Sequence, residues 1–100
     1  MTHALLLALA LAAPGEVTIE NGKALFTSPD LGANGKTCTL CHAGGKAFDP
    51  EELRAASPKE VGILSNHCLS LRMKTPKLAP DSSELQSLIL YVKTFQQKGR

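Results

Sequence analysis

Apolar positions Leu85, Leu88, Ile89, Val92 and Phe95 recur at i, i+3, i+4, i+7 and i+10 in "DSSELQSLILYVKTFQQ". That stripe predicts an amphipathic helix. Asp81 or Ser82 can cap its start, and Glu84 suits the positive end of its dipole. Lys93 and Lys98 lie near the negative end. A rougher stripe of Ile19, Gly22, Ala24, Leu25 and Phe26 predicts an earlier helix in "VTIENGKALFTSPD", with Thr18 as N-cap and Pro29 and Asp30 as the stop. Between them, "DPEELRAASPKEVGILSNHCLSL" predicts one or two short helices. The first opens with Asp49 as N-cap and Pro50 at N1. Pro58 separates it from a second, with Ser57 as N-cap. The remainder reads as loop: "SPDLGANGKT" with the turn signal Asn34-Gly35, "AGGKAFDP", where Gly44 and Gly45 let the backbone pass close to another group, and "RMKTPKLAP", twice broken by proline. No alternating strand pattern of useful length, internal repeat or low-complexity tract is present. The chain reads as all-α with long loops for its size. Wrapping a cofactor is one reason for such loops.

Length and composition sharpen this picture. One hundred residues make one small domain with a thin core. The apolar share of 43% is inflated by the first residues, and aromatics are scarce at 4%, so a bound cofactor could supply the missing apolar mass. The net charge of +2 is spread along the chain. Without a basic run or an interleaved aromatic platform, nucleic acid is not an expected partner. No apolar stretch reaches the roughly 18 residues of a membrane span. The opening "MTHALLLALALAAPGE" carries an apolar run from Ala4 to Ala13, the length of a signal-peptide core, with small residues suited to cleavage at Ala10 and Ala12, or Ala12 and Ala13. Residues 1–13 are therefore expected to be a signal peptide and 14–100 the mature domain, exported or periplasmic. In that compartment thiols tend to be oxidised or ligated.

The concentrated chemistry lies in "KTCTLCHAGG", which holds Cys38, Cys41 and His42. The third cysteine, Cys68, is distant. Three chemistries use this spacing. A dithiol redox pair sits where a strand runs into a helix, and no strand precedes Cys38. A zinc site could draw on Cys38, Cys41, His67 and Cys68, but adjacent His67 and Cys68 do not easily turn to one tetrahedral ion, and His42 would have no role. Cys-x-x-Cys-His is the signature of covalent haem attachment and accounts for all three residues. Cys38 and Cys41 would form thioether bonds to the haem vinyl groups, and His42 would give the iron an imidazole nitrogen. The other ring nitrogen then needs a hydrogen-bond partner, for which a carbonyl near Pro50 is a candidate.

The ordered set of segments resembles the small bacterial monohaem c-type cytochromes of the class I fold. "GKALF", with Gly22 and Phe26, is similar to that fold's N-terminal helix, "CTLCH" to its attachment motif and "LQSLILYVKTF" to its C-terminal helix. Together with "RMKTPKLAPDSSE", the resemblance covers most of the chain after the leader. It implies a helical fold in which the terminal helices cross at Gly22 against Leu88 and Tyr91, with loops wrapped round one haem c. It implies Met73, on a loop before the last helix, as the second axial ligand of the iron. The stretch between His42 and Met73 is shorter than in most of that class, so one haem edge is expected to be more exposed. Core packing is the bland alternative for Met73. The cationic Arg72, Lys74 and Lys77 could rim that edge and steer acidic redox partners, or merely keep the loop solvated. The function implied is single-electron transfer between redox partner proteins, not catalysis. Cys68 and His67 compete with Met73 as ligands. A Cys68 thiolate would imply instead a haem subunit of a sulfur-compound-oxidising enzyme, while Cys68 as a small buried hydrophobe would imply nothing.

Overall fold

A computed structural model of the protein describes residues 15–97, apart from the side chains of Leu40, Cys41 and Ala43. The expected signal peptide, and with it the boundary at residues 13 and 14, lies outside the described residues, as does Lys98. Among the described residues five helices follow one another: α1 (Ile19–Thr27), α2 (Thr39–His42), α3 (Pro50–Ala55), α4 (Pro58–Leu71) and α5 (Ser83–Lys93). A 3₁₀ turn, Ala43–Gly45, continues α2, and another, Thr94–Gln97, continues α5. Among the described residues there is no strand, and the chain is all-α.

The helix starts follow from local chemistry. Thr18 is extended, and its hydroxyl accepts from the amide of Asn21 at 2.9 Å, satisfying one of the orphan donors of α1. The Asp49 carboxylate accepts from the Glu51 amide at 3.0 Å and Pro50 takes the first position of α3. Ser57 and Glu60 form a reciprocal capping box, with Glu60 N–H to Ser57 Oγ at 3.1 Å and Ser57 N–H to Glu60 Oε1 at 2.8 Å. That box divides the central stretch into two helices. At α5 Ser82, rather than Asp81, is the cap, accepting from Leu85 N–H at 3.2 Å.

The first and last helices cross at Gly22. A side chain there would run into the carbonyl of Ser87 and lie 2.8 Å from Cβ of Tyr91, so the backbones meet with no room for a methyl group. The glycine faces Ser87 and Tyr91; Leu88 is buried and lines a cavity. Ser87 also ties in the segment before α1. Its Oγ donates to the Glu16 carbonyl at 3.1 Å and accepts from Thr18 N–H at 3.2 Å, which satisfies a fully buried hydroxyl.

The apolar core joins Phe26 of α1, Leu53 of α3, Val61 of α4 and Leu85, Leu88, Ile89, Val92 and Phe95 from α5 and its continuation. All five apolar positions of the C-terminal stripe are buried. The four aromatic rings of the chain gather in one cluster. Phe26 lies 5.1 Å from Tyr91 and 6.0 Å from Phe95, and Phe48 lies 5.7 Å from Phe95. Each such pair adds about 0.5–1.5 kcal/mol to its burial. Gly45, at φ +85, passes close under the Phe95 ring, so the group it makes room for is an aromatic of the core. Lys93 lies in the last turn of α5, as expected, and its ammonium also reaches a second helix, donating to the carbonyls of Leu53 and Ala56, the latter at 2.9 Å. It thereby caps the C-terminal end of α3.

Candidate functional site

A cavity of ≈ 280 Å³ opens between α2, α3, α4 and α5. Its apolar floor comes from Leu53, Val61, Leu88 and Val92. Leu64 also lines it and is 66% exposed, so the cavity opens to solvent. Cys38, His42, Cys68 and Met73 all line this one space. The cavity is of the size and character that small molecules, or the buried part of a larger group, occupy.

His42 ends α2. The 3₁₀ turn that follows reverses the chain through Gly44 and Gly45, both at positive φ. This brings the carbonyl oxygen of Lys46 to 2.8 Å from His42 Nδ1. A carbonyl only accepts, so Nδ1 carries the proton and donates, and Nε2 is left as the nitrogen with a lone pair. The partner is thus Lys46, not a carbonyl near Pro50. The imidazole also stacks on Phe48, with centroids 4.2 Å apart and planes 7° from parallel. Two fixed neighbours orient the ring.

Cys38 precedes α2 and is half-buried. Burial pushes its thiol up from 9.0 to about 11, with the charge of Cys68 as a second cause. A thiol that holds its proton this firmly is the opposite of an activated redox thiol, whose acidity is raised by its surroundings. Cys41 lies on α2, and its side chain is outside the described residues.

Met73 follows α4 directly and is buried, with 2% exposure. It stands apart from the main apolar cluster and lines the cavity instead. Its backbone is tied on both sides: Met73 N–H donates to Cys68 O at 3.3 Å, and Ala33 N–H donates to Met73 O at 3.0 Å. Asn34 Nδ2 donates to the neighbouring Arg72 carbonyl at 3.2 Å. Gly32 completes the seat, since a Cβ there would lie 3.0 Å from Met73 Cε. The loop leading into Cys38 and the segment carrying Met73 are thus one hydrogen-bonded unit. Arg72, Lys74 and Lys77 are exposed around it.

His67 is exposed and does not line the cavity, while its neighbour Cys68 does. A helix turns adjacent residues about 100° apart, which explains why the two do not face one space. Among the described residues no three His, Cys, Asp or Glu side chains gather closely enough to hold a metal ion, so Cys38, His67 and Cys68 are not brought together as a zinc set. Phe48 and Glu52, which also line the cavity, are among the residues not singled out from the sequence. The i, i+4, i+7 spacing of Val61, Ser65 and Cys68, all lining the cavity, was the signal that α4 turns this face inward.

The residues present fit a c-type haem: an imidazole with its Nε2 lone pair available and a buried thioether as possible iron ligands, and the first cysteine of the attachment motif on the same apolar cavity. Among the described residues no helix is long and apolar enough to cross a membrane. No protein-family model, curated protein or solved structure matches the chain.

Proposed function

We propose that the protein is a small c-type cytochrome of the class I kind, exported from the cytoplasm, that carries single electrons between redox partner proteins and is not itself an enzyme. Cys38 and Cys41 would hold one haem c by thioether bonds, and His42 and Met73 would be the axial ligands of its iron. The observation that carries the reading is that one apolar cavity is lined at once by the first cysteine and histidine of the attachment motif and by a buried methionine from a distant loop.

When bound, the haem supplies a one-electron iron couple; the rest is done by the chain. His42, held by the Lys46 carbonyl and the Phe48 ring, presents Nε2 in a fixed direction. Met73 is held by backbone bonds and would add a soft sulfur, which favours the reduced state and raises the potential. The floor of Leu53, Val61, Leu88 and Val92 excludes water and lowers the local dielectric. Arg72, Lys74 and Lys77 offer positive charge beside the Met73 loop, suited to an acidic partner surface.

The test is expression with a haem-attachment system, followed by intact mass and haem-peroxidase staining of a denaturing gel. One covalent haem, lost in Cys38→Ala/Cys41→Ala, is the expected result. An unstained band with the mass of the bare polypeptide overturns the reading.

A second reading rests on Cys68, which lines the same cavity. There Cys68 would be the axial thiolate, and the chain a haem subunit of a sulfur-compound-oxidising enzyme. Visible spectra of Met73→Ala and Cys68→Ala separate the two.

A further inference from the structure

The segment from Met73 to Leu78 has no helix or strand of its own, yet it runs back along the last turns of α4 and is bonded to them at three places. Met73 N–H donates to Cys68 O, Thr75 N–H donates to Leu69 O at 3.1 Å, and Leu78 is gripped by Asn66. The last contact differs in kind from the others. Asn66 Nδ2 donates to Leu78 O at 2.8 Å, and Leu78 N–H donates to Asn66 Oδ1 at 2.7 Å. One side-chain amide thus satisfies both backbone groups of a single residue, as a neighbouring strand would. The two backbone contacts lie close to Met73; the Asn66 grip closes the far end of the strap. Leu78 packs its side chain against the core beside it. Lys74 sits at φ +54, an uncommon conformation for a residue with a side chain, so the strap needs outside restraint to keep this path.

We infer that Asn66 is a positioning residue for the sixth coordination site: by clamping Leu78 it keeps the strap on α4 and Met73 seated in the cavity. This rests on the electron-carrier reading above. With the clamp intact, a small exogenous molecule reaches the iron only when the strap lifts. With the clamp gone, the strap lifts more often, and the site turns from a closed electron-transfer centre into one open to ligands.

The probe is carbon monoxide added to the reduced, haem-loaded protein, where its binding replaces the bond from the Met73 sulfur to iron with a bond from carbon monoxide. Asn66→Leu keeps the branched shape at Cγ and removes both hydrogen bonds; Asn66→Asp keeps the acceptor and loses the donor. Two lost hydrogen bonds should speed carbon monoxide binding roughly tenfold or more, with Asn66→Asp between Leu and wild type. Amide exchange at Leu78 should quicken in the same order. Thr18→Ala, which lowers stability at the opposite end of the fold by removing the α1 cap, should leave the carbon monoxide rate unchanged. The inference is overturned if Asn66→Leu frees the Leu78 amide without changing that rate, or if Thr18→Ala changes it as much. A wild-type chain that takes up no haem overturns the electron-carrier reading itself and this inference with it.

Discussion

The amide of Ala33 donates to the carbonyl oxygen of Met73 at 3.0 Å, across forty positions of sequence. Next to it, Gly32 leaves the space that the Met73 side chain fills. The loop that delivers Cys38 and the strap that delivers Met73 therefore cannot move independently. A haem held by the first would have its open face set by the second.

Gly32→Ala should unseat Met73. The new methyl carbon would lie 2.9 Å from the Lys36 carbonyl and 3.0 Å from Met73 Cε. Overpacking of this kind costs about 1–3 kcal/mol. Denaturant unfolding should show that loss, and the Met73 methyl resonance should shift. An unchanged midpoint with an unchanged resonance would mean that the two residues are not in contact.

Met73→Ala should act on both stability and spectrum. Removing a buried methionine costs about 2–5 kcal/mol. In the haem-loaded protein the weak red-edge absorption of oxidised histidine–methionine haem should disappear and the potential fall. Cys68→Ala should leave both in place. The reverse pattern would assign the ligand to Cys68.

In the haem-free chain, stability should decline in alkali because of Cys38. Folding raises its pKa, so the neutral thiol is the form favoured by the native state. The contribution is complete below 9.0, the ordinary value, and is lost as pH climbs through about 11. Unfolding midpoints measured across that window should fall less steeply in Cys38→Ala than in the parent chain. Parallel curves would show that burial of this thiol has no linkage to folding.

Lys93→Met should loosen the join between α3 and the end of α5. It keeps the aliphatic stem and removes the donor to the carbonyls of Leu53 and Ala56. A loss of about 1–3 kcal/mol is expected, read by thermal unfolding, with faster amide exchange in α3 than in α1. Uniform exchange across both helices would argue against a local staple.

Features set by near neighbours could be read from the chain. Thr18, Asp49, Ser57 and Ser82 each bond an amide two or three residues on, so their capping roles follow from residue type and position. The C-terminal stripe was legible for the same reason: helical period alone turns Leu85 to Phe95 inward. The gathering of Cys38, His42 and Met73 around one cavity was only an expectation, because it depends on how α2 and the strap meet α4. The carbonyl that orients His42 was misplaced because the turn through Gly44 and Gly45 is tighter than an open loop and delivers Lys46 first. Lys93 and Asn66 gave no warning, since each bonds backbone groups 12 to 40 positions away, and a carbonyl has no residue-specific signature.

The crossing at Gly22 also sets the order of events during synthesis. Thr18 and Glu16 bond Ser87 from 69 and 71 positions away, so α1 lacks its main packing partner until α5 has emerged. Contacts of such long range form late, after the loop-closure entropy has been met. Until then the buried face of α1, with Gly22 and Phe26, lacks the surface that covers it. The meeting of α1 and α5 at Gly22 is therefore expected to be a late step of folding, after the helices have formed locally.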